Sequence, residues 1–207
     1  MHQTTRWRVC SPTLLALALA LALASAGLAS CGGGDAAPAG TGASPSTAPA
    51  SAPSGGTTTA ASTCNLPDFQ ASLLARVNQV RASGANCGSD GVFGAAAPVT
   101  WNDKLAAAAA GHSQDMAAQN YFSHTSADGR TLGDRVTATG YAWTSLGENI
   151  AAGYPSANAV MDGWIASPGH CANLMNAGFA EVGVACVAGT AGDAYSTYWT
   201  MDLGRPR

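Results

Sequence analysis

Apolar residues recur along this chain with two periods. Phe69, Leu73, Val77 and Val80 fall at i, i+4, i+8 and i+11, one stripe of an amphipathic helix. Asn65-Leu66-Pro67-Asp68 supplies a cap, an early proline and an early acid in front of it, and Ser83-Gly84 stops it. After a Gly/Ala-rich loop over 84–98 comes a short buried-looking piece, Val99-Thr100-Trp101. Asn102 then caps a second helix whose inner face carries Leu105, Ala109, His112 and Met116 and which ends near Asn120-Tyr121-Phe122. Thr131 caps a short helix through Asp134, Arg135 and Val136, closed by Gly140. Gly147 to Ala152 reads as a strand. Ser156 caps a helix carrying Val160, Met161, Trp164 and Ile165, ended by Pro168-Gly169. The last third changes period. Val182, Val184 and Cys186 alternate with small residues, and Tyr195, Thr197, Trp199 and Met201 alternate with Ser196, Tyr198, Thr200 and Asp202, as strands do. Helices first and strands late, without regular βα alternation, predict an α+β sandwich.

The N-terminal third carries a different pattern. Arg6 and Arg8 precede an almost pure Leu/Ala run from Leu14 to Leu23, the charged and apolar regions of a signal peptide. Leu28-Ala29-Ser30-Cys31 has the form of a lipobox, so residues 1–30 are expected to be removed and Cys31 to receive the lipid. Gly32 in place of Asp resembles outer-membrane sorting signals in hosts with two membranes. Residues 31–63 are expected to be a disordered tether, because 32–62 hold no aromatic or large aliphatic residue and cannot bury enough surface to offset chain entropy. Residues 64–207 remain as one domain with a core of its own.

Charge and cysteine content narrow the class. Twelve acidic residues stand against nine basic ones, two of which, Arg6 and Arg8, leave with the signal. Lys104 is the only lysine, and no basic cluster exists in the domain, which argues against nucleic-acid binding. Cys64, Cys87, Cys171 and Cys186 lie beyond the lipobox, an even set that reads as two disulfides in an exported domain. Four cysteines allow three pairings. Cys171–Cys186 closes a short loop and is the first choice, leaving Cys64–Cys87 by elimination. That second bond would have to span a helix of about 22 Å by folding both flanks back along it.

Few residues here announce chemistry. His112 sits on the inner face of a helix and reads as a core histidine. His124 and His170 each read as lying in a loop directly after a helix, where functional histidines are common. Glu148 and Glu181 are the only glutamates, and Glu148 lies between apolar neighbours, where a carboxylate needs partners. Two histidines and a glutamate are zinc-type ligands, but their long spacings are not diagnostic. No G-x-S-x-G, HExxH, P-loop or GxGxxG occurs.

Seven segments in order carry a family resemblance: Gly111-His112-Ser113-Gln114-Asp115-Met116, Tyr121-Phe122-Ser123-His124, Asp134-Arg135 with Gly140-Tyr141, Gly147-Glu148-Asn149-Ile150-Ala151, Trp164-Ile165-Ala166-Ser167-Pro168-Gly169-His170, Glu181-Val182-Gly183-Val184 and Tyr198-Trp199-Thr200. Together they resemble the CAP (SCP-like) superfamily of cysteine-rich secretory, antigen 5 and pathogenesis-related 1 proteins, and its bacterial branch in particular. The resemblance implies an α-β-α sandwich with a central antiparallel sheet and a surface cavity lined by two histidines and two acids. His124, Glu148 and His170 match three of those positions. The second acid falls on Ser167, a departure common in the bacterial branch, and Glu181 follows as a weaker candidate.

The superfamily has no agreed reaction, and its members have been proposed to bind divalent metals, sterols or fatty acids. The expectation is therefore a non-enzymatic binding module, lipid-anchored through Cys31 outside the cytoplasm on the outer membrane. Its His/Glu cavity would take Zn²⁺ or another divalent cation on His124 and His170, or a small or lipidic ligand. The alternatives are a structural envelope lipoprotein contacting peptidoglycan or envelope partners, and a metal-assisted hydrolase. The anchor is directly testable. Replacing Cys31 with Ser should abolish acyl labelling and move the protein from the membrane fraction to the soluble one, since acyl chains contribute about 0.8 kcal/mol per buried CH₂. Unchanged fractionation would refute the lipobox.

Overall fold

The computed structural model describes residues 62–207; the expected signal peptide, the lipidated Cys31 and nearly all of the tether lie outside them. Helix α1 spans Phe69–Ser83 and buries the predicted stripe of Phe69, Leu73, Val77 and Val80. The segment read as a plain loop contains a two-residue antiparallel hairpin, β1 (Ala85–Asn86) with β2 (Val92–Phe93), around a 3-10 turn at Gly88–Asp90. Strand β3 is short, Thr100–Trp101. Helix α2, Asp103–Ala118, starts at Asn102, whose side chain accepts hydrogen bonds from the amides of Lys104 and Leu105. Helix α3, Leu132–Ala138, opens on a capping box between Thr131 and Asp134.

Strand β4 follows over Trp143–Ala152, then α4 over Ala157–Ala166, capped by Ser156. Helix α5, Pro168–Met175, begins where the sequence suggested only a helix end. Proline lacks an amide proton, so it stops one helix and is equally suited to the first turn of the next. Ser167 forms the extended corner between the two, and His170 consequently lies in the first turn of α5 rather than in a loop. Strands β5 (Glu181–Ala188) and β6 (Thr197–Pro206) complete the fold. Among the described residues no helix is long and apolar enough to cross a membrane.

The main sheet has the order β3-β5-β6-β4. Its three long strands are antiparallel, as expected, but β3 pairs with β5 in parallel, Thr100 opposite Glu181 and Trp101 opposite Val182. A chain that crosses the sheet through intervening helices can return parallel, which a hairpin cannot. Helices cover both faces. Val182, Val184, Cys186, Trp199, Met201 and Leu203 pack with α1, α4 and Leu174 of α5. The alternate residues of β6, Tyr198, Thr200 and Asp202, are equally buried. There Tyr198 packs with Met116 of α2, and Ser113 of α2 donates to Thr200 at 2.9 Å. Gly183 on β5 makes this close approach possible, because a Cβ there would collide with the α2 backbone at Leu105 and Ala106.

The disulfides are Cys64–Cys186 and Cys87–Cys171, with Cα atoms 5.3 and 5.4 Å apart. The preferred pairing of Cys171 with Cys186 and of Cys64 with Cys87 is therefore corrected. Cys64 and Cys87 flank opposite ends of α1, and Cys171 and Cys186 are buried in separate clusters, the one with Val80, Cys87 and Met175 and the other in the main core. Short separation in sequence lost to tertiary packing. The Cys64 amide also donates to the Cys186 carbonyl, 3.1 Å, so the bond sews the start of the domain to β5. Peptide mapping without reduction should recover these two cross-linked pairs and no other. Cys64→Ser should cost about 2–4 kcal/mol in denaturant unfolding, and a loss near zero would count against the long-range staple.

Candidate functional site

Glu148 projects from β4 and is almost wholly buried, its side chain 3% exposed. Its two oxygens are both engaged. Arg135 of α3, equally buried, places Nη2 at 2.5 Å from Oε2. His124, on the connection between α2 and α3, places Nδ1 at 2.8 Å from Oε1. A carboxylate only accepts, so Nδ1 carries the proton, and Nε2 is the lone-pair nitrogen of the neutral ring. The His124 side chain is 58% exposed, so the imidazole stands at the surface with its inner edge tied to a buried anion. Burial alone would raise the Glu148 carboxyl; the His124 hydrogen bond and the Arg135 charge outweigh it and hold it below the ordinary value.

Arg135 has a second task. Its Nη1 donates to the carbonyls of His124 (3.0 Å) and Arg130 (3.2 Å) and to the Ser126 hydroxyl (3.3 Å). One guanidinium thus fixes the carboxylate and the backbone of the loop that presents the histidine to it. The planar fork of arginine allows this; a lysine ammonium would not reach both.

His170 is joined to the same strand by an amide relay. Asn149 Nδ2 donates to the His170 carbonyl at 3.0 Å, and Asn173 Nδ2 donates to the Glu148 carbonyl at 3.1 Å and to Asn149 Oδ1 at 3.0 Å. The relay locks the first two turns of α5 against Glu148-Asn149. Gly147 permits the approach, since a Cβ there would strike the Phe179 ring and crowd Asn173. The His170 imidazole is pushed below its ordinary pKa by burial and then by the charge of His124, so it is neutral at physiological pH.

The remaining candidates go elsewhere. Glu181, at the start of β5, accepts from the Tyr141 hydroxyl at 2.6 Å, and burial together with Glu181 raises that phenol. Ser167 makes no side-chain cap to α5; its carbonyl accepts from the Cys171 amide at 2.8 Å. Neither provides the missing second acid beside His170. Among the described residues no three of His, Cys, Asp and Glu come together as a metal-binding group. Glu148 in particular is buried, with one oxygen turned to Arg135 and the other to His124.

Two participants, Arg135 and Asp202, escaped the sequence reading, which took Arg135 only as part of a short helix and of the Asp134-Arg135 segment. His112 is a core residue, as expected, yet only half satisfied: Nε2–H donates to the Ser123 carbonyl at 2.9 Å while Nδ1 has no hydrogen-bond partner. Burial, first, pushes it below its ordinary pKa, and Glu148 and Arg135 act on it in opposite senses. Asp202, completely buried on β6, lies directly opposite Glu148 in the β4–β6 register. Asp202 falls in phase with Tyr198 and Thr200, so the alternation assigns it to their face of the strand but does not say that this face is buried.

The fold is shared with a known structure. An outer surface protein from Borrelia burgdorferi matches 66% of this chain and 92% of its own with a TM-score of 0.53 and 17% identity. An extracellular protein containing an SCP domain from Bacillus anthracis matches 68% of this chain and 44% of its own, TM-score 0.49, 28% identity. The model of the cysteine-rich secretory protein family matches residues 74–203, the greater part of the chain, and the chain belongs to that family, the CAP family. Two relatives from Bacillus subtilis are the uncharacterised membrane protein YlbC, 39% identical over 88 residues, and the uncharacterised protein YkwD, 34% identical over 90. The matched stretches span 42% and 44% of this chain but only 25% and 35% of those proteins.

The buried ion pair should dominate local stability. Arg135→Leu strands the Glu148 charge and is expected to cost about 3–5 kcal/mol. Arg76→Ala, which breaks the exposed pair with Asp162, is expected to cost about 0–1 kcal/mol. Urea unfolding of both variants checks the contrast; equal small losses would show that Arg135 is not the organiser.

Proposed function

We propose that this CAP domain is a non-enzymatic binding module, held outside the cytoplasm on the lipid anchor expected at Cys31, with His124 and His170 as its ligand-facing groups. The observation that carries the reading is the state of Glu148. A general base needs a free lone pair aimed at its proton and a pKa near the working pH. Glu148 has neither: it is buried with each oxygen turned to a protein donor, so no lone pair faces solvent, and its carboxyl is held low. A metal-assisted hydrolase at this position could not use Glu148 as its base. What reaches solvent is the His124 edge, an acceptor nitrogen on a rigid mount, near the half-buried neutral ring of His170. Such a surface suits the polar group of a small or lipidic ligand. A divalent cation would have these two imidazoles, one protein ligand fewer than the three of a catalytic zinc site. Two disulfides support residence in an oxidising compartment.

The test is calorimetric titration of the purified protein with Zn²⁺, with Mg²⁺ and with a long-chain fatty acid, beside His124→Ala and His170→Ala. The expected result is saturable binding of at least one probe, lost in both variants, with melting temperatures in the absence of probe close to wild type. No binding of any probe, with both variants melting lower, would instead favour the structural envelope lipoprotein.

A further inference from the structure

Asp202 is the buried acid that the His124–Glu148 arrangement does not explain. It sits on β6 between Glu148 of β4 and Gly183 of β5. Its surroundings can be enumerated element by element. Strand β4 presents the Glu148 carboxylate, and β5 presents only the side-chain-free Gly183. Helix α3 contributes the Arg135 guanidinium, while the His112 imidazole of α2 is within electrostatic reach of Glu148 and Arg135, and His124 bonds Glu148 itself. Arg135 is committed: Nη2 binds Glu148, Nη1 binds the His124 loop, and Nε has no hydrogen-bond partner. Among the described residues no donor reaches either oxygen of Asp202, which has no solvent exposure at all.

An ionised carboxylate cannot be sustained there, because burial without a donor forfeits its whole hydration energy. A neutral acid has a proton to give, and the acceptor facing it across the strand pair is Glu148. We propose that Asp202 is a neutral carboxylic acid at physiological pH whose O–H donates to the Glu148 carboxylate, which makes Asp202 a positioning residue for the Glu148–His124 pair. The two carboxyls then carry one negative charge between them, and the single Arg135 cation balances it. Glu148 accepts from three directions, His124, Arg135 and Asp202, and cannot rotate away from any one of them without losing another. Burial and the Glu148 charge both raise the Asp202 carboxyl, in agreement with this assignment. The inference deepens the binding reading, because it concerns what holds His124, but its readouts are protonation and stability. A failed ligand screen would leave it standing.

The sign of the pH dependence separates the two states of Asp202. A carboxyl whose pKa is raised by folding keeps its proton in the native state while the unfolded chain loses it. Wild-type stability therefore falls as pH rises from about 4, the reference value of an Asp, up to the native titration. Asp202→Asn keeps a donor toward Glu148 and has no proton to lose. Its folding constant relative to wild type is expected to rise by about tenfold per pH unit through that window, leaving the variant at least as stable at neutral pH. If Asp202 were an anion serving Arg135, Asp202→Asn would be less stable at neutral pH and the deficit would shrink in acid, which overturns the proposal. The infrared spectrum of the wild type at neutral pH should contain the carbonyl stretch of a protonated carboxylic acid, missing in Asp202→Asn; its absence from wild type is equally decisive. Positioning is read from the NMR chemical shifts of the His124 ring protons at fixed neutral pH, expected to be preserved in Asp202→Asn and displaced in Asp202→Val. An unmoved His124 in the valine variant would remove the positioning role.

Discussion

The arrangement at the surface depends on one buried guanidinium. Arg135 holds Glu148 with one nitrogen and the loop 124–130 with the other, so the carboxylate and the histidine that meets it are positioned by the same group. Without that cation Glu148 would be an uncompensated charge under α2 and α3. With it, a buried anion can anchor an exposed imidazole, and the exposed ring inherits the rigidity of the sheet. The interaction is worth more as a constraint on geometry than as net stability, since desolvating both ions consumes much of their attraction.

A second buried guanidinium solves the opposite problem. Arg81 of α1 is fully buried, and among the described residues no carboxylate is paired with it. It donates instead to the carbonyls of Ala97 (2.7 Å), Leu174 (2.7 Å), Asn176 (3.0 Å) and Phe179 (3.3 Å). Leu174 and Asn176 lie at the C-terminal end of α5, where the helix dipole is negative, so the cation is stabilised by oriented dipoles. Arg81 thus ties α1 to the far end of the helix whose first turn carries His170, and the Cys87–Cys171 bond clamps the same helix one residue past that histidine. Both walls of the site are held by long-range ties.

Membership of the CAP family accounts for the sandwich, and it leaves the chemistry open. A fold shared by many proteins does not carry one activity with it. In this chain the electrostatics restrict the choice: an anion occupied on both oxygens, a neutral His170, and no second acid beside it, because Glu181 binds Tyr141 and position 167 is a serine. That combination leaves the two imidazoles, and not Glu148, as the groups able to bond a partner from solvent.

Much of the fold was written locally. The Phe69–Val80 stripe, the caps at Asn102, Thr131 and Ser156, and the alternation through Val182–Cys186 and Tyr198–Asp202 each depend on residues a few positions apart, and each led to the element observed. Pro168 was ambiguous because the same missing amide proton ends one helix and begins another; only the continuation of the chain as α5 resolved it. The two-sided burial of β6 was likewise beyond the alternation itself, which says that faces differ and not that a helix covers each. The disulfide pairing, the tie between Arg135 and Glu148, and the burial of Asp202 opposite Glu148 were decided by tertiary structure alone. They join residues whose separations carry no local signature, and they exist because packing α2 and α3 onto one face of the sheet, and α1, α4 and α5 onto the other, brings those side chains within bonding distance and excludes the water that would otherwise have served them.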